Sequence, residues 1–357
     1  MSKIAIISDT HCGVRGSAER FIKYQERFWT EIFFPELRKR GIKEIWHLGD
    51  YYDSPSSINY KALQSNRKCF LEVLRDEKMK MLIIPGNHDL YYKHTNQICS
   101  IRELHGYYYD EISILMNSHT VKKSGNDFLF VPWINESNFN EIQKVIAEST
   151  AQVLLGHFEL SGFDMYKGIP SHHGMKIDGL DKFKLVLSGH YHTKSNARNI
   201  HYLGAQMEFT WSDCDDQKYF HILDTDTLEI EAIENPLTIF KKFYYNEDEI
   251  NIRNVDYSQF ANKHIQLIVE KRTNDKKFDR FLELLERQDH YDLKIFELFD
   301  DSGALNMLDQ DDQGTFEDTP DMIKRYVDDT DTNLDKNILK EILQKSYVES
   351  LLDMDNA

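Results

Sequence analysis

Five short apolar runs in this chain are each followed at once by side chains that bind metal ions. The runs are rich in Ile, Val and Leu and cover residues 4–8, 44–48, 79–84, 153–155 and 184–187. Such runs are typical of strands that are covered on both faces, and the helical patterns between them indicate a layered α/β domain. Because the carboxyl ends of strands in an α/β sheet form the ligand crevice, we expect the segments after the runs to meet at one place.

The segments after the runs contain Asp, Asn and His at short spacings. In chain order they are Asp9-Thr10-His11, Gly49-Asp50-Tyr51-Tyr52-Asp53, Gly86-Asn87-His88-Asp89, Gly156-His157 and Gly189-His190-Tyr191-His192. Carboxylate, amide oxygen and imidazole together suit Mn, Fe, Ni or Zn rather than Ca or Mg alone. The donors are too many for one ion and suit a pair of ions about 3.5–4 Å apart, which clamps the attacking and leaving oxygens of a displacement at phosphorus.

These segments resemble the calcineurin-like metallophosphoesterases, whose pattern is DxH…GDxxD…GNH[DE]…GH…GHxH. All five blocks occur here in the same order, whereas a single block would be weak evidence because turn Asp, Gly and His residues are common. The resemblance implies a four-layer α/β/β/α sandwich. It also implies two ions that share one bridging carboxylate: Asp9, His11, Asp50 and His192 would hold one ion, and Asp50, Asn87, His157 and His190 the other.

His88 lies within the same pattern, but the resemblance implies that it does not bind metal. Its imidazole would face the scissile phosphate, where it can stabilise the transition state or protonate the leaving oxygen. Asp89 is expected to orient His88 or its loop. Arg15 is a candidate contact to DNA phosphates, with plain solvation as the alternative. Asp53 is a weaker candidate for substrate binding. Certain members of one branch of this family carry a His at this position, and the role of that His at the phosphate cannot be transferred to a carboxylate.

Two departures from the wider pattern narrow the resemblance. The Ser/Thr phosphatase branch has Arg-Gly after the second Asp and Glu after the Asn-His, whereas here Asp53 precedes Ser54-Pro55 and His88 precedes Asp89. Segment 49–55, the region after residue 235 and the C-terminal helical pattern are similar to the SbcD-type DNA-repair nucleases, most of all to phage recombination nuclease subunits. This resemblance implies DNA as substrate (double-stranded ends or single strands), a coiled-coil ABC-type ATPase as partner and a homodimer. Mn²⁺ is the expected ion, with Mg²⁺, Fe²⁺ or Zn²⁺ as alternatives.

The character of the sequence changes after Pro236. We expect a phosphoesterase domain over 1–235 and a smaller α+β capping or DNA-binding domain over 236–300, with strands over 239–245, 264–270 and 293–299 and a helix over 275–288. An acidic linker is expected over 301–321 and a helical tail over 322–357. The apolar stripe of the tail, which includes Ile338, Ile342 and Leu351, is expected to bind the ATPase.

The net charge of −17 argues against a protein that simply coats nucleic acid. Thirteen acidic and two basic residues lie between Glu297 and Asp335, so the rest of the chain is close to neutral and DNA remains open as a substrate. The chain has no apolar stretch near the roughly 18 residues of a membrane span, and its four Cys residues form no CxxC pair. We therefore expect a soluble cytoplasmic protein without membrane contact, in the host cell if a phage encodes it.

Three functions compete. The first is a two-metal DNA exo/endonuclease subunit that works in recombination or repair with the ATPase. The second is a small-molecule or cyclic-nucleotide phosphodiesterase, which would need neither a second domain nor a tail. The third is an inactive scaffold that binds DNA ends, which the complete ligand set disfavours.

Three other segments have two interpretations each. His172-His173 could add a third metal element or belong to a solvated loop, and the Tyr run 107–109 could stack bases or pack as a loop. The helix expected over 60–75 could form a dimer face or pack against its own sheet.

Overall fold

The computed structural model describes residues 3–106, 109–166, 169–171, 174–298 and 305–307, together with 327, 336, 338–340 and 342–343. The chain divides into two compact units, Met1–Thr238 and Ile239–Ala357. The division lies close to the boundary expected between residues 235 and 236. Among the residues that the structure describes, none of the helices combines the length and the apolarity needed to cross a bilayer.

The first unit contains two six-stranded sheets. In spatial order, the strands of the first sheet are Ile230–Asn235, Lys218–Asp224, Lys3–Ile7, Glu44–His47, Lys80–Ile83 and Ile112–Ile114. The last four strands of that series are parallel to one another, whereas Lys218–Asp224 is antiparallel to both of its neighbours. Three of the five sequence runs therefore lie side by side, and their carboxyl ends meet at one edge of the sheet.

The second sheet contains the other two runs at its centre. Its strands in spatial order are Ser195–Ala197, Ile200–Tyr202, Leu185–Gly189, Val153–His157, Asn126–Val131 and His119–Lys123. The four inner strands are parallel, and the two outermost strands are antiparallel to their neighbours. Two short hairpins accompany the sheets, Leu90–Tyr92 with Thr95–Cys99 and Asp164–Tyr166 with Ile169–Pro170.

Two long helical segments cover the outer face of the first sheet. One consists of Glu19–Arg27, a π-helical stretch Phe28–Phe33 and Phe34–Arg40, and it ends at Gly41 in the left-handed conformation. The other consists of Tyr60–Asn66, Arg67–Leu71 and Glu72–Asp76. The ring of Phe33 lies 5.1 Å from that of Phe220 on the sheet, which fixes this helical layer against the strands.

Residues of the central strands alternate between two hydrophobic cores, because successive side chains of a strand point to opposite faces. Ile4 and Ile6 from the first sheet pack with Val153 and Leu155 from the second, and these contacts form the core between the sheets. Leu154 instead joins the outer core of the second sheet, which the helix Phe139–Glu148 covers. The order helix, sheet, sheet, helix confirms the four-layer α/β/β/α sandwich.

Shorter helical turns connect these elements. They are Val14–Ser17, Asn87–Asp89, Arg102–Gly106, Leu180–Lys182 and Trp211–Asp213. The face of the helical segment 60–76 that carries Phe70 and Leu74 is buried against its own unit, while Tyr60 at its start is 86% exposed. The helix therefore packs on its own sheet and also leaves a large aromatic side chain accessible.

In the part that the structure describes, the second unit contains one mixed sheet and one long helix. Its strands in spatial order are Phe240–Asn246, His264–Lys271, Asp292–Leu298 and Leu305–Met307, of which the first three are parallel and the fourth is antiparallel. The helix Asp275–Glu286 buries Phe278, Phe281 and Leu285 against the sheet, and the short helical turn Tyr257–Phe260 joins the same core. This is the α+β arrangement expected after residue 235.

Most of the two C-terminal segments lies outside the described residues. The strand Leu305–Met307 falls within the segment expected to be an acidic linker over 301–321. In the expected tail over 322–357, the structure describes Ile338 and Ile342 as helical and more than half exposed. Leu351, His172, His173, Tyr107 and Tyr108 lie outside the described residues, as does the tail apart from 327, 336, 338–340 and 342–343.

Candidate metal centre

The structure brings the seven predicted metal ligands together at the carboxyl ends of five strands. Asp9 and His11 follow Lys3–Ile7, Asp50 follows Glu44–His47, Asn87 follows Lys80–Ile83, His157 ends Val153–His157, and His190 and His192 follow Leu185–Gly189. Within the described residues, ligand atoms approach one another within 4.8 Å in three groups: Asp9, His11 and His192; Asp50, His157 and His190; and His11, Asp53 and His88. The first two groups correspond to the two halves of the expected site.

The hydrogen bonds of His157 indicate what its second nitrogen faces. Its Nδ1 lies 2.7 Å from the carbonyl oxygen of Leu48, which can only accept, so Nδ1 carries a hydrogen. Its Nε2 lies 3.1 Å from both Asn87 Oδ1 and Asp50 Oδ2. In a neutral imidazole, the Nε2 lone pair would then face two oxygen acceptors. A cation relieves this repulsion, and hydrogen bonding of the other ring nitrogen is how proteins orient histidine ligands.

The protonation of His157 is consistent with the same repulsion. Burial lowers the pKa of His157, but the charge of Asp50 and its hydrogen bond outweigh burial and raise that pKa to about 9. A proton on Nε2 therefore removes the repulsion between its lone pair and the two oxygens, as a metal ion would. Binding of an ion would release this proton.

The other half of the site consists of two facing imidazoles and a carboxylate. Nε2 of His11 lies 3.1 Å from Nε2 of His192 and 3.9 Å from Asp50 Oδ2. Burial, and next the charge of His11, lower the pKa of His192 to about 3, so its imidazole is neutral and has a lone pair to share. The Asp9 carboxylate is fully buried and accepts a hydrogen bond from the backbone N–H of His190. These donors fit a divalent cation.

Asn87 and Asp50 connect the halves of the site. Asn87 Oδ1 lies 3.1 Å from both His157 Nε2 and His190 Nδ1. Asp50 is fully buried, and burial raises its pKa. The charges of His157 and His88 outweigh burial, so the pKa of Asp50 is held well below its usual range. Asp50 is therefore an anion that lies between both groups, as the expected bridging role requires.

The backbone at the site is strained. Positive φ values between 42° and 90°, which residues other than Gly rarely adopt, occur at four of the proposed ligands: Asp9, His11, Asp50 and His190. Gly86 shows why glycine is needed beside them, because a Cβ there would lie 2.2 Å from Asp50 Oδ1. Strain of this kind persists where the surroundings impose it and is concentrated at functional sites.

His88 lies beside the ligand groups and is held by its own loop. Its Nδ1 lies 2.7 Å from the backbone carbonyl oxygen of Asp53, and its backbone N–H donates to Asp50 Oδ1 at 2.9 Å. Its ring stands edge-on to that of His11 with centroids 4.8 Å apart. Because Nδ1 donates to a carbonyl, Nε2 remains available to accept or transfer a proton.

The structure places the weaker candidates Asp53 and Arg15 at the border of the site. Asp53 Oδ1 lies 3.4 Å from Nδ1 of His11, so its carboxylate contacts a predicted ligand. Arg15 is exposed, and its Nε donates to the carbonyl oxygen of Phe209 at 2.8 Å. The ring of Phe209 in turn contacts His11, which places the guanidinium near the metal centre.

Asp89 orients the loop rather than His88. Its two carboxylate oxygens accept from the backbone N–H groups of Tyr51, Tyr52 and Gly86, at 2.9–3.1 Å. Through these bonds, Asp89 fixes the segment that carries Asp50 against the segment that carries Asn87.

Two aromatic residues at the site lie outside the motifs that the sequence singled out. Trp133 follows the strand Asn126–Val131, and its ring lies 5.1 Å from His190 and 5.8 Å from His157. Phe209 lies 5.5 Å from His11 and 5.8 Å from His192. Each ring thus borders one half of the site. For Trp133, the available signal was its position directly after an apolar strand of the sheet.

Comparison with known proteins supports the interpretation of this geometry. The calcineurin-like phosphoesterase family matches residues 2–194, which include all seven predicted ligands. Exonuclease subunit 1 of Enterobacteria phage T4 is 30% identical over 352 residues, which cover 98% of this chain and 99% of that protein.

Two solved structures align less closely. An archaeal phosphodiesterase is 13% identical, with a TM-score of 0.35 over 65% of this chain and 99% of that chain. A protein of unknown function from Aquifex aeolicus is 15% identical, with a TM-score of 0.28 over 51% of this chain and 93% of that chain.

Proposed function

Because this chain belongs to the calcineurin-like phosphoesterase family, we propose that it is a two-metal DNA nuclease, with both exonuclease and endonuclease chemistry open to it. It is a metal-dependent phosphoesterase; the substrate, the number of ions and the partner are the proposal. The observation that carries the proposal is the arrangement of two ligand groups around Asp50, with His88 beside them.

The residues present fit a pair of divalent ions. Seven side chains would hold them: Asp9, His11, Asp50 and His192 for one ion, and Asp50, Asn87, His157 and His190 for the other. When bound, the ions supply charge that stabilises the attacking and leaving oxygens of an in-line displacement at phosphorus. Imidazole nitrogens make up more than half of this set, which favours Mn²⁺ over Mg²⁺.

The protein's own groups orient the ligands and move a proton. The Leu48 carbonyl fixes the tautomer of His157, so that its Nε2 would be free of hydrogen and able to bind an ion. His88 is held at Nδ1 by the Asp53 carbonyl and presents Nε2 as a transition-state donor or as the acid that protonates the leaving oxygen. Arg15 would contact a substrate phosphate through the nitrogens of its guanidinium other than Nε, which is occupied by Phe209.

DNA is proposed as the substrate because of the relative and the second unit. The relative that matches nearly the whole chain is named an exonuclease subunit, and a subunit works within a complex. The second unit has a core of its own and lies outside the matched family region, as expected for a part that binds a large substrate or partner. We further propose a complex with a coiled-coil ABC-type ATPase for recombination or repair, a homodimer and a cytoplasmic location in the host cell.

Cleavage measured beside metal content tests this proposal. The purified full chain is incubated with linear double-stranded DNA, single-stranded DNA and a small phosphodiester, each with EDTA, Mn²⁺ or Mg²⁺. We expect EDTA to abolish cleavage, Mn²⁺ to restore it better than Mg²⁺, and DNA to be cut faster than the small ester.

The competing functions give other results. A small ester cleaved faster than DNA would favour a small-molecule phosphodiesterase. Bound metal and bound DNA without any cleavage would favour a scaffold. Full activity in Mg²⁺ with no transition metal bound would contradict the proposed cofactor.

A further inference from the structure

Lys218 is a buried lysine that lies outside all five motifs and is only 3% exposed. Its Nζ donates to the carbonyl oxygen of His192 at 3.1 Å, to Asp213 Oδ1 at 2.6 Å and to Asp216 Oδ2 at 2.8 Å. An ammonium group has three N–H donors, so each of them has an acceptor here. One of the three acceptors is the backbone of a residue that we propose as a metal ligand.

Asp213 extends this contact to a second part of the site. Its Oδ2 accepts from the backbone N–H groups of Phe209 and Thr210, at 2.8 and 2.9 Å. Phe209 is fully buried, and its ring contacts the imidazoles of both His11 and His192. Lys218 and Asp213 therefore hold one proposed ligand by its backbone and also hold the ring that packs against two proposed ligands.

Asp216 is the third member of the cluster. It accepts from the Thr193 hydroxyl at 3.3 Å as well as from Lys218, so two consecutive residues of this loop are held. The His192 carbonyl also accepts from the backbone N–H of Ala205 at 3.0 Å. The loop that carries His192 is thus fixed by bonds that do not involve its imidazole, which leaves that ring free to bind an ion.

We propose that Lys218 is a positioning residue of the metal centre, which with Asp213 holds His192 and Phe209 so that His11 and His192 are in place for one ion. This inference rests on the proposed function, which assigns both histidines to a metal. A buried ion pair is weak evidence for stability, because desolvation opposes the attraction between the charges. Bonds behind metal ligands instead commonly orient them, and their loss typically lowers metal affinity 10- to 100-fold.

The effect is expected in one half of the site only. His157 in the other half is oriented by the carbonyl of Leu48, and Asn87 contacts His157 and His190 directly. Loss of Lys218 should therefore lower the affinity for the ion held by Asp9, His11 and His192 and leave the affinity for the other ion unchanged. A general loss of protein stability would lower the affinity for both ions together.

Two variants of the full chain test this selectivity. Lys218→Met keeps the length of the side chain but removes its three donors. The double variant Lys218→Met/Asp213→Asn also removes the carboxylate that would otherwise stay buried without its cation, and so provides a folded protein if the single variant unfolds. Mn²⁺ titration calorimetry gives the affinity of each ion, and electron paramagnetic resonance reports whether two Mn²⁺ ions are coupled.

We expect the variants to bind one Mn²⁺ ion with the parental affinity and the other about 10- to 100-fold more weakly, with loss of the coupled Mn²⁺ signal. In the metal-free protein, hydrogen exchange should become faster at the backbone amides of 190–193 and 209–213. A matched control is Ile146→Ala, which disturbs the core under the helix Phe139–Glu148 and should lower both affinities equally or neither.

Parental affinity for both ions in the folded double variant would overturn the inference, as would an equal loss at both sites. Failure of the proposed function gives a different result. A parental chain that binds two ions but cuts no DNA would contradict the proposed nuclease function. The selective effect of Lys218 on metal affinity would still be expected.

Discussion

The backbone carbonyl oxygen of Asp53 lies 2.7 Å from Nδ1 of His88, while the carboxylate of the same Asp53 lies 3.4 Å from Nδ1 of His11. One residue thus contacts both the proposed proton donor and a proposed metal ligand, through different groups. Since a side-chain substitution leaves the carbonyl in place, chemistry and metal binding can be perturbed separately.

His88→Asn should abolish the proton transfer without loss of metal. Both ions and the melting temperature should be retained, because His88 contributes none of the seven ligands. Cleavage should fall about 10²- to 10⁴-fold, the usual contribution of a positioned acid or transition-state donor. Metal stoichiometry and single-turnover DNA cleavage are measured on the same preparation. Loss of an ion would show that the ligand assignment is wrong, and cleavage at the parental rate would exclude the catalytic role.

Asp53→Ala should give the converse result. The variant loses the carboxylate beside His11 but keeps the carbonyl that holds His88. We expect the affinity for one Mn²⁺ ion to fall about 10- to 100-fold, and cleavage at saturating Mn²⁺ to stay near the parental rate. Asp53→Asn, which retains an oxygen acceptor, is the matched control, and its Mn²⁺ affinity should lie between those of the parent and of Asp53→Ala. If cleavage stays low even when Mn²⁺ saturates both sites, Asp53 acts on the substrate rather than through His11.

Asp50→Asn should remove metal and activity together. The substitution neutralises the anion that lies between the two groups and turns an NH₂ toward His157 or His88. We expect fewer than two ions per chain by elemental analysis and no measurable cleavage. Retention of two ions would show that Asp50 is not the bridging ligand.

A pH dependence of stability follows from His221, which is buried in the strand Lys218–Asp224. Burial, followed by the charges of Lys194 and His201, lowers its pKa to about 3. The unfolded chain therefore takes up a proton near pH 6.5 that the folded chain excludes, so this residue lowers stability as the pH falls from about 6.5 toward 3. Between pH 6.5 and pH 5, His221 should lower the free energy of unfolding by about 2 kcal/mol.

His221→Leu removes this titration and should flatten the acid side of the stability profile. Urea unfolding followed by tryptophan fluorescence at pH 7.5 and pH 5 measures the effect, and all four Trp residues lie in the first unit. Identical pH profiles for parent and variant would show that His221 does not titrate differently on folding.

Truncation from residue 330 onward tests the proposed ATPase contact. All seven proposed ligands and His88 precede residue 193, so metal binding and basal cleavage should be unchanged. Binding of the ATPase should weaken, because Ile338 and Ile342 are 57% and 53% exposed and belong to the truncated segment. Calorimetry with a candidate coiled-coil ATPase gives the affinity, and the double variant Ile338→Ser/Ile342→Ser is a milder test. Unchanged affinity in both variants would exclude the tail from the interface.

The sequence predicted those parts of the fold in which a strand and its ligands are adjacent in the chain. The five runs became central parallel strands because their alternate residues enter two cores, as Leu154 and Leu155 do. The strand Lys218–Asp224 was not predicted, since it ends in no recognisable motif and it pairs with Lys3–Ile7, far away in the chain.

The same limit applies to the site. The proposed ligands lie in short motifs whose resemblance to the family pattern implies their role, whereas the contacts of Arg15 with Phe209 and of Lys218 with His192 join residues far apart in the chain. Trp133 carries no metal-binding group, so its place beside His157 and His190 was not predicted. Asp89 was expected to orient either His88 or the loop, and only its hydrogen bonds distinguish the two.

Because the strands of both sheets end at this site, each proposed ion has ligands from both. Asp9, His11, Asp50 and Asn87 follow strands of the first sheet, whereas His157, His190 and His192 belong to the second. The ions would therefore act as cross-links between ligands that lie from 70 positions (Asn87 and His157) to 183 positions (Asp9 and His192) apart in the chain, much as a disulfide does, and the sandwich could not open without releasing them. Metal supply would then set the lifetime of the protein against proteolysis as well as its activity.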